Sequence, residues 1–97
     1  MIREIAKFKI KAGHEDAFVA AAHSCLPLFQ AARGFRSFSL ERGVEENDTF
    51  YLLIKWETLE DHTIHFRESA DFAEWRARVG QFFAEPPHVV HTQGTSA

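Results

Sequence analysis

Thr49-Phe50-Tyr51-Leu52-Leu53-Ile54-Lys55-Trp56-Glu57 alternates along its length. Phe50, Leu52, Ile54 and Trp56 fall on one side and Tyr51, Leu53 and Lys55 on the other, which is the period of a β-strand. Both sides carry apolar residues, so both faces of the sheet need cover. Upstream, Phe35 to Arg42 alternates too, and the polar Gly43–Asp48 segment joins the two as a hairpin with a longer loop.

Further upstream, Ile2 to Lys11 is a third alternating run. Ile2, Glu4, Ala6, Phe8 and Ile10 share one face; Arg3, Ile5, Lys7, Lys9 and Lys11 share the other. Gly13-His14-Glu15-Asp16 opens a helix, with acids where the macrodipole favours them. Its apolar stripe is Phe18, Ala22, Cys25, Phe29 and Ala32, with Pro27 inside it as a kink or split and Gly34 as a left-handed stop. Downstream, Thr58 and Asp61 form a capping box for a short helix over Leu59–Arg67. Ser69 caps a further helix with the stripe Phe72, Trp75/Arg76, Val79 and Phe82/Phe83, which Pro86-Pro87 ends. His88 to Thr92 is a last strand, and residues 93–97 read as a flexible tail.

The order β-α-β-β-α-α-β predicts one α+β domain over residues 1–97, a ferredoxin-like βαββαβ unit with a four-stranded antiparallel sheet. Its helices cover one face. The other face carries Ile5, Lys7, Tyr51, Leu53 and Lys55, too apolar for full solvation and too charged for a private core. A second copy packed back to back would bury it, so a homodimer is expected.

Composition narrows the function classes. The 97 residues carry a net charge of −3, which argues against a nucleic-acid partner. Phe occurs ten times and hydrophobic residues make up 45%, leaving apolar area for a partner or ligand. The single cysteine, Cys25, excludes an internal disulfide framework and fits a reducing compartment. No stretch resembles a signal peptide or a membrane span, so a cytoplasmic protein is expected. The Lys7/Lys9/Lys11 stripe is either an anion surface or a set of partners for acidic groups across the dimer.

Several residues could carry chemistry. Trp56 either stacks on an aromatic substrate or fills the core at a strand end. Glu4 is a carboxylate on an apolar strand face. Buried, it would be pushed up by desolvation and suited to accept a phenolic proton; at a sheet edge it would reach water or pair with an arginine. His62 and His65, three apart on a helix, would share a face. His62 could polarise a substrate oxygen or shuttle a proton, or bond to Asp61 or Glu57. A metal would need further ligands from His88 or His91, which point to opposite faces of a strand, and no metal site is expected. Arg76 either meets an anion or pairs with Glu4 or Glu57.

The element order resembles the antibiotic biosynthesis monooxygenase family. So do Gly13-His14-Glu15-Asp16-Ala17-Phe18, Trp56-Glu57-Thr58-Leu59-Glu60-Asp61-His62 and Phe66-Arg67-Glu68-Ser69-Ala70-Asp71-Phe72-Ala73-Glu74-Trp75. The likeness runs on to the His88–His91 strand. It implies a dimeric α/β barrel with one cavity per subunit between sheet and helices. Some members oxidise phenols or quinols with molecular oxygen and no metal or flavin; others degrade haem. Trp56 matches the family's cavity tryptophan, and Phe66 stands near the helix histidine of many members, beside His62 and His65. Leu52 and Ala6 stand where some oxygenating and haem-degrading members carry asparagines, which points away from haem and from a direct transfer of the phenol-oxidising members' mechanism.

The expected function is therefore a cofactor-independent monooxygenase acting on a small aromatic, phenol or quinol. Its catalytic residues would be His62, Trp56 and Glu4, and its substrate-binding residues Trp56, His65, Phe66, Phe72 and Arg76. The alternatives are a non-catalytic dimeric ligand-binding or assembly module, and a metal-dependent activity through His62 and His65.

Overall fold

The computed structural model describes residues 1–96. Strands β1 (Ile2–Lys9), β2 (Phe35–Arg42), β3 (Thr49–Trp56) and β4 (His88–Gln93) form one antiparallel sheet in the order β2-β3-β1-β4. Helices α1 (Glu15–Ser24), α2 (Leu26–Gln30) and α3 (Ala70–Val79) lie in the connections, as the ferredoxin-like α+β reading requires. Gln93 pairs with Ile2 inside β4, so the strand takes the first residue of the expected tail; the tail's last residue, 97, lies outside those described.

The break at Pro27 is a split. α1 ends at Ser24, and α2 restarts at Leu26 with Pro27 in its first turn, where a missing N–H leaves no helical bond unmade. Gly34 takes φ +76° and turns the chain into β2, its carbonyl accepting from Glu57 N at 2.8 Å. Ser69 caps α3 by accepting from Phe72 N at 3.2 Å. The Thr58–Asp61 box also forms: Thr58 Oγ1 accepts from Asp61 N and Asp61 Oδ2 accepts from Thr58 N, each at 3.2 Å.

The helix after that box differs from expectation. Asp61–Phe66 is wound as a π-helix, with Arg67 N donating to His62 O at 3.0 Å, five residues back. The wider turn changes which side chains share a face.

The core lies between the helices and the inward face of the sheet. Phe8 and Phe18 meet edge to face at 5.7 Å, Phe18 approaches Phe50 at 5.2 Å, and Phe29 sets its edge against Trp75 at 5.1 Å. These rings are buried, as is Cys25 at the joint of α1 and α2. The outward face is different. Ile5 stands between Leu53 and Val90 across three strands, making an apolar strip flanked by Arg3, Lys7 and Lys55. Val90 is 42% exposed in the single chain.

Candidate functional site

Glu4 stands on the inward face of β1, the strand between β3 and β4. It is 6% exposed, which settles its alternatives in favour of burial. The indole of Trp56 donates to Glu4 Oε1 at 3.0 Å. The π-turn brings His62 over the same strands, where it lies flat on Trp56 with centroids 5.5 Å apart and planes 15° from parallel. From there His62 Nε2 reaches Glu4 Oε1 at 3.3 Å, and His62 Nδ1 reaches His91 Nε2 of β4 at 2.7 Å. Glu4 and His91 are register partners, which puts both on the same sheet face.

Burial pushes the Glu4 carboxyl up to about 7, against the opposing pull of the Trp56 hydrogen bond and the Arg67 charge. Burial first, then Arg67 and His91, push the His62 imidazole down to about 3. Burial, with Arg67, lowers His91 as well. Below neutrality the 3.3 Å contact between Glu4 Oε1 and His62 Nε2 therefore joins two neutral groups and is not an ion pair. The two groups act on folding with opposite signs. The raised acid contributes stability in acid that is lost as pH rises through about 7. The depressed base contributes stability above its unfolded value of 6.5 that is lost as pH falls toward about 3.

A cavity of about 230 Å³ opens over this cluster. Glu4, Ala6, Phe8 and His62 form its floor. Phe72, Trp75 and Phe83 wall it with aromatic surface, and Arg67 and Arg76 stand exposed at its mouth. Arg76 lies over the Phe72 ring, with Cζ 6.0 Å from its centroid. Among the described residues, no carboxylate comes within 4.0 Å of Arg67 or Arg76, whereas Arg33, Arg36 and Arg78 all have acidic partners.

Four expectations need correction. Trp56 is fully buried under His62 and does not line the cavity; it holds Glu4 instead of offering a stacking surface. Phe66 packs into the core against Phe29 at 4.8 Å and Trp56 at 5.4 Å, away from the cavity. His65 is exposed and borders a separate hollow with Ala31 and Ser69, because the π-turn rotates it away from His62. Neither suggested carboxylate partner holds: Glu57 pairs with Arg36, and Asp61 with the Thr58 backbone and Arg33, while His62 bonds to His91 and lies 3.3 Å from Glu4. Phe72 and Arg76 do line the cavity. Arg67 and the chemical link to His91 were missed. The sequence signal for His91 was its alternation with Val90, but the register against β1 needed the fold.

Fold and site together describe a ferredoxin-like domain with a buried acid–imidazole cluster under an aromatic cavity. The model of the antibiotic biosynthesis monooxygenase family matches residues 1–78, and the chain belongs to that family. An uncharacterized Bacillus subtilis protein, YczJ, is 40% identical over 93 residues, covering 96% of this chain and 98% of its own. A crystal structure from Bordetella bronchiseptica, assigned to the antibiotic biosynthesis monooxygenases, superposes with a TM-score of 0.95 at 43% identity, over 98% of this chain and 97% of that one. A Nitrosomonas europaea structure with the same assignment, at 24% identity and TM-score 0.84 over 96% and 88%, shares the fold.

Proposed function

We propose that the chain is a cofactor-independent monooxygenase for a small phenol or quinol bound in the cavity above Glu4. A buried carboxyl with a value of about 7, facing an aromatic cavity, carries this reading. Its ionised form removes the phenolic proton. The electron-rich anion passes one electron to molecular oxygen, and the resulting radical and superoxide join at a ring carbon. Proton return and loss of water leave a carbonyl there, so one oxygen atom enters the product and the other leaves as water. The substrate supplies the electrons. Phe8, Phe72 and Phe83 exclude water around the radical pair, and Trp56 and His62 hold the carboxylate in place. The guanidiniums of Arg67 and Arg76 favour a substrate that also carries a carboxylate or ionised phenol.

Oxygen consumption with a panel of hydroquinones and polyphenols tests the reading. Uptake above the uncatalysed rate is expected with at least one of them. His62→Ala and Trp56→Phe should each lower it by about ten- to a hundredfold without loss of folding. Ligand binding without uptake would point to the non-catalytic module. Uptake equal to wild type in both variants would remove the site.

The same reading includes a homodimer formed through the outward sheet face. The strip of Leu53, Ile5 and Val90, partly exposed in the single chain, is the support, since apolar area on a sheet face is driven out of water. Leu53→Glu places a charge in that strip. Sedimentation should show the wild type as a dimer and the variant as a monomer with the same helix and sheet content. A monomeric wild type would contradict the dimer.

A further inference from the structure

We propose that Glu4, His62 and His91 form a proton wire. It would link the floor of the cavity to solvent on the β4 side, with His91 as its outer terminus. This rests on geometry. Glu4 Oε1 to His62 Nε2 is 3.3 Å, and His62 Nδ1 to His91 Nε2 is 2.7 Å, so the His62 imidazole has a partner at both ring nitrogens. Only the outer end is open: Glu4 and His62 are buried, at 6% and 2%, whereas His91 is half-buried. His88, three residues back on β4, is on the other sheet face and plays no part.

The wire has two orientations. With Glu4 neutral, its hydroxyl donates to His62 Nε2, and His62 Nδ1–H donates to His91 Nε2. One shift along the chain reverses every bond. The carboxyl proton moves to His62 Nε2, the His62 Nδ1 proton moves to His91 Nε2, and the His91 Nδ1 proton leaves to water. Glu4 is then ionised and accepts from both His62 and the Trp56 indole. One proton leaves to water, none enters during the shift, the negative charge is left on Glu4, and no electrons move. Both rings begin and end neutral, in opposite tautomers.

Such a route is needed when the cavity is full. An aromatic ligand over Ala6 and Phe8 covers the open side of Glu4, and the carboxyl that has taken a proton from it can return that proton to water only from behind. The wire's role in turnover rests on the reading of Glu4 as proton acceptor. Its existence does not.

Nitrogen-15 NMR of the two imidazoles, in the protein without ligand, tests the wire apart from any activity. The groups facing it are Glu4 on β1, Trp56 on β3, His91 on β4, Arg67 after the π-turn and Arg76 on α3. Burial raises Glu4 to about 7 and lowers His91 below its ordinary value, so Glu4 is the neighbour that ionises near neutrality. His62 and His91 should exchange tautomers together, at the midpoint of the Glu4 side-chain carbon-13 titration. In Glu4→Gln the exchange should disappear, with both rings held in one tautomer from mildly acid to mildly alkaline pH. In His91→Gln, whose amide cannot relay, His62 should lose the shared midpoint while Glu4 still titrates. A single fixed tautomer of His62 across the Glu4 titration in the wild type would overturn the wire. So would an undisturbed His62 midpoint in His91→Gln. Oxygen uptake with a normal rate in His91→Gln would confine the wire to equilibrium exchange and overturn its role in turnover, leaving the proposed oxygenation intact. Absence of uptake in the wild type would remove the oxygenation and leave the NMR result standing.

Discussion

Glu4→Gln should lower oxygen uptake by about two to four powers of ten, the range expected when a general base is removed. The amide is close to the protonated carboxyl in shape and can still accept from Trp56, so the fold should survive. In the wild type, uptake should rise with pH through about 7 as the carboxyl ionises, because only the ionised form takes the proton. The variant's residual rate should lack that step. Denaturation measures the same group independently. Between about pH 5 and pH 8 the raised acid and the depressed histidine act on wild-type stability with opposite slopes, which nearly cancel. Removing the acid leaves the histidine alone, so Glu4→Gln should gain roughly 2 kcal/mol over that interval while the wild type changes little. Urea midpoints at the two ends of the range check this. A wild type with a steep slope and a variant with none would mean that His62 is not held neutral.

Gly34→Ala should be the most destabilising of the small substitutions, by about 3 kcal/mol. Two effects add. At φ +76° a side chain is strained by about 1–2 kcal/mol. The added carbon would also stand 2.0 Å from Asp61 Oδ2, the oxygen that accepts from Thr58 N. The carboxylate must move and give up that bond, which opens the start of the turn bearing His62. Gly13→Ala separates the two effects: its φ is +84° but its site is open, so strain alone remains. Thermal melts should place Gly34→Ala roughly 10–20 °C below the wild type, with Gly13→Ala in between. Equal melting points for the two would show that Asp61 yields without penalty.

Much of the fold was legible because alternation and capping are local. Phe35–Arg42 and Thr49–Trp56 could be read from period two, and the Thr58, Ser69, Pro27 and Gly34 signals each formed where their chemistry demands. The inward aim of Glu4 followed from parity along β1. Its burial did not, because that depends on β4 and on His62 closing over it. His62 and His65 were paired by assuming ordinary helical spacing, and no residue of Asp61–Phe66 announces the wider turn. Trp56 was open between a stacking surface and a core residue at a strand end, and the family resemblance favoured the cavity. Whether a large ring meets ligand or is sealed under a neighbour is set by tertiary packing, here by the imidazole stacked on it.

The π-turn holds one more residue per hydrogen-bonded loop than an ordinary helix. Which side chain overhangs the sheet is thus governed by a local residue count, separate from the packing of the strands beneath. Loss or gain of a single position between Asp61 and Phe66 would present a different group to the carboxyl and leave the platform intact. Chemistry on this scaffold can therefore diversify by length changes in one short segment, without any rebuilding of its aromatic interior.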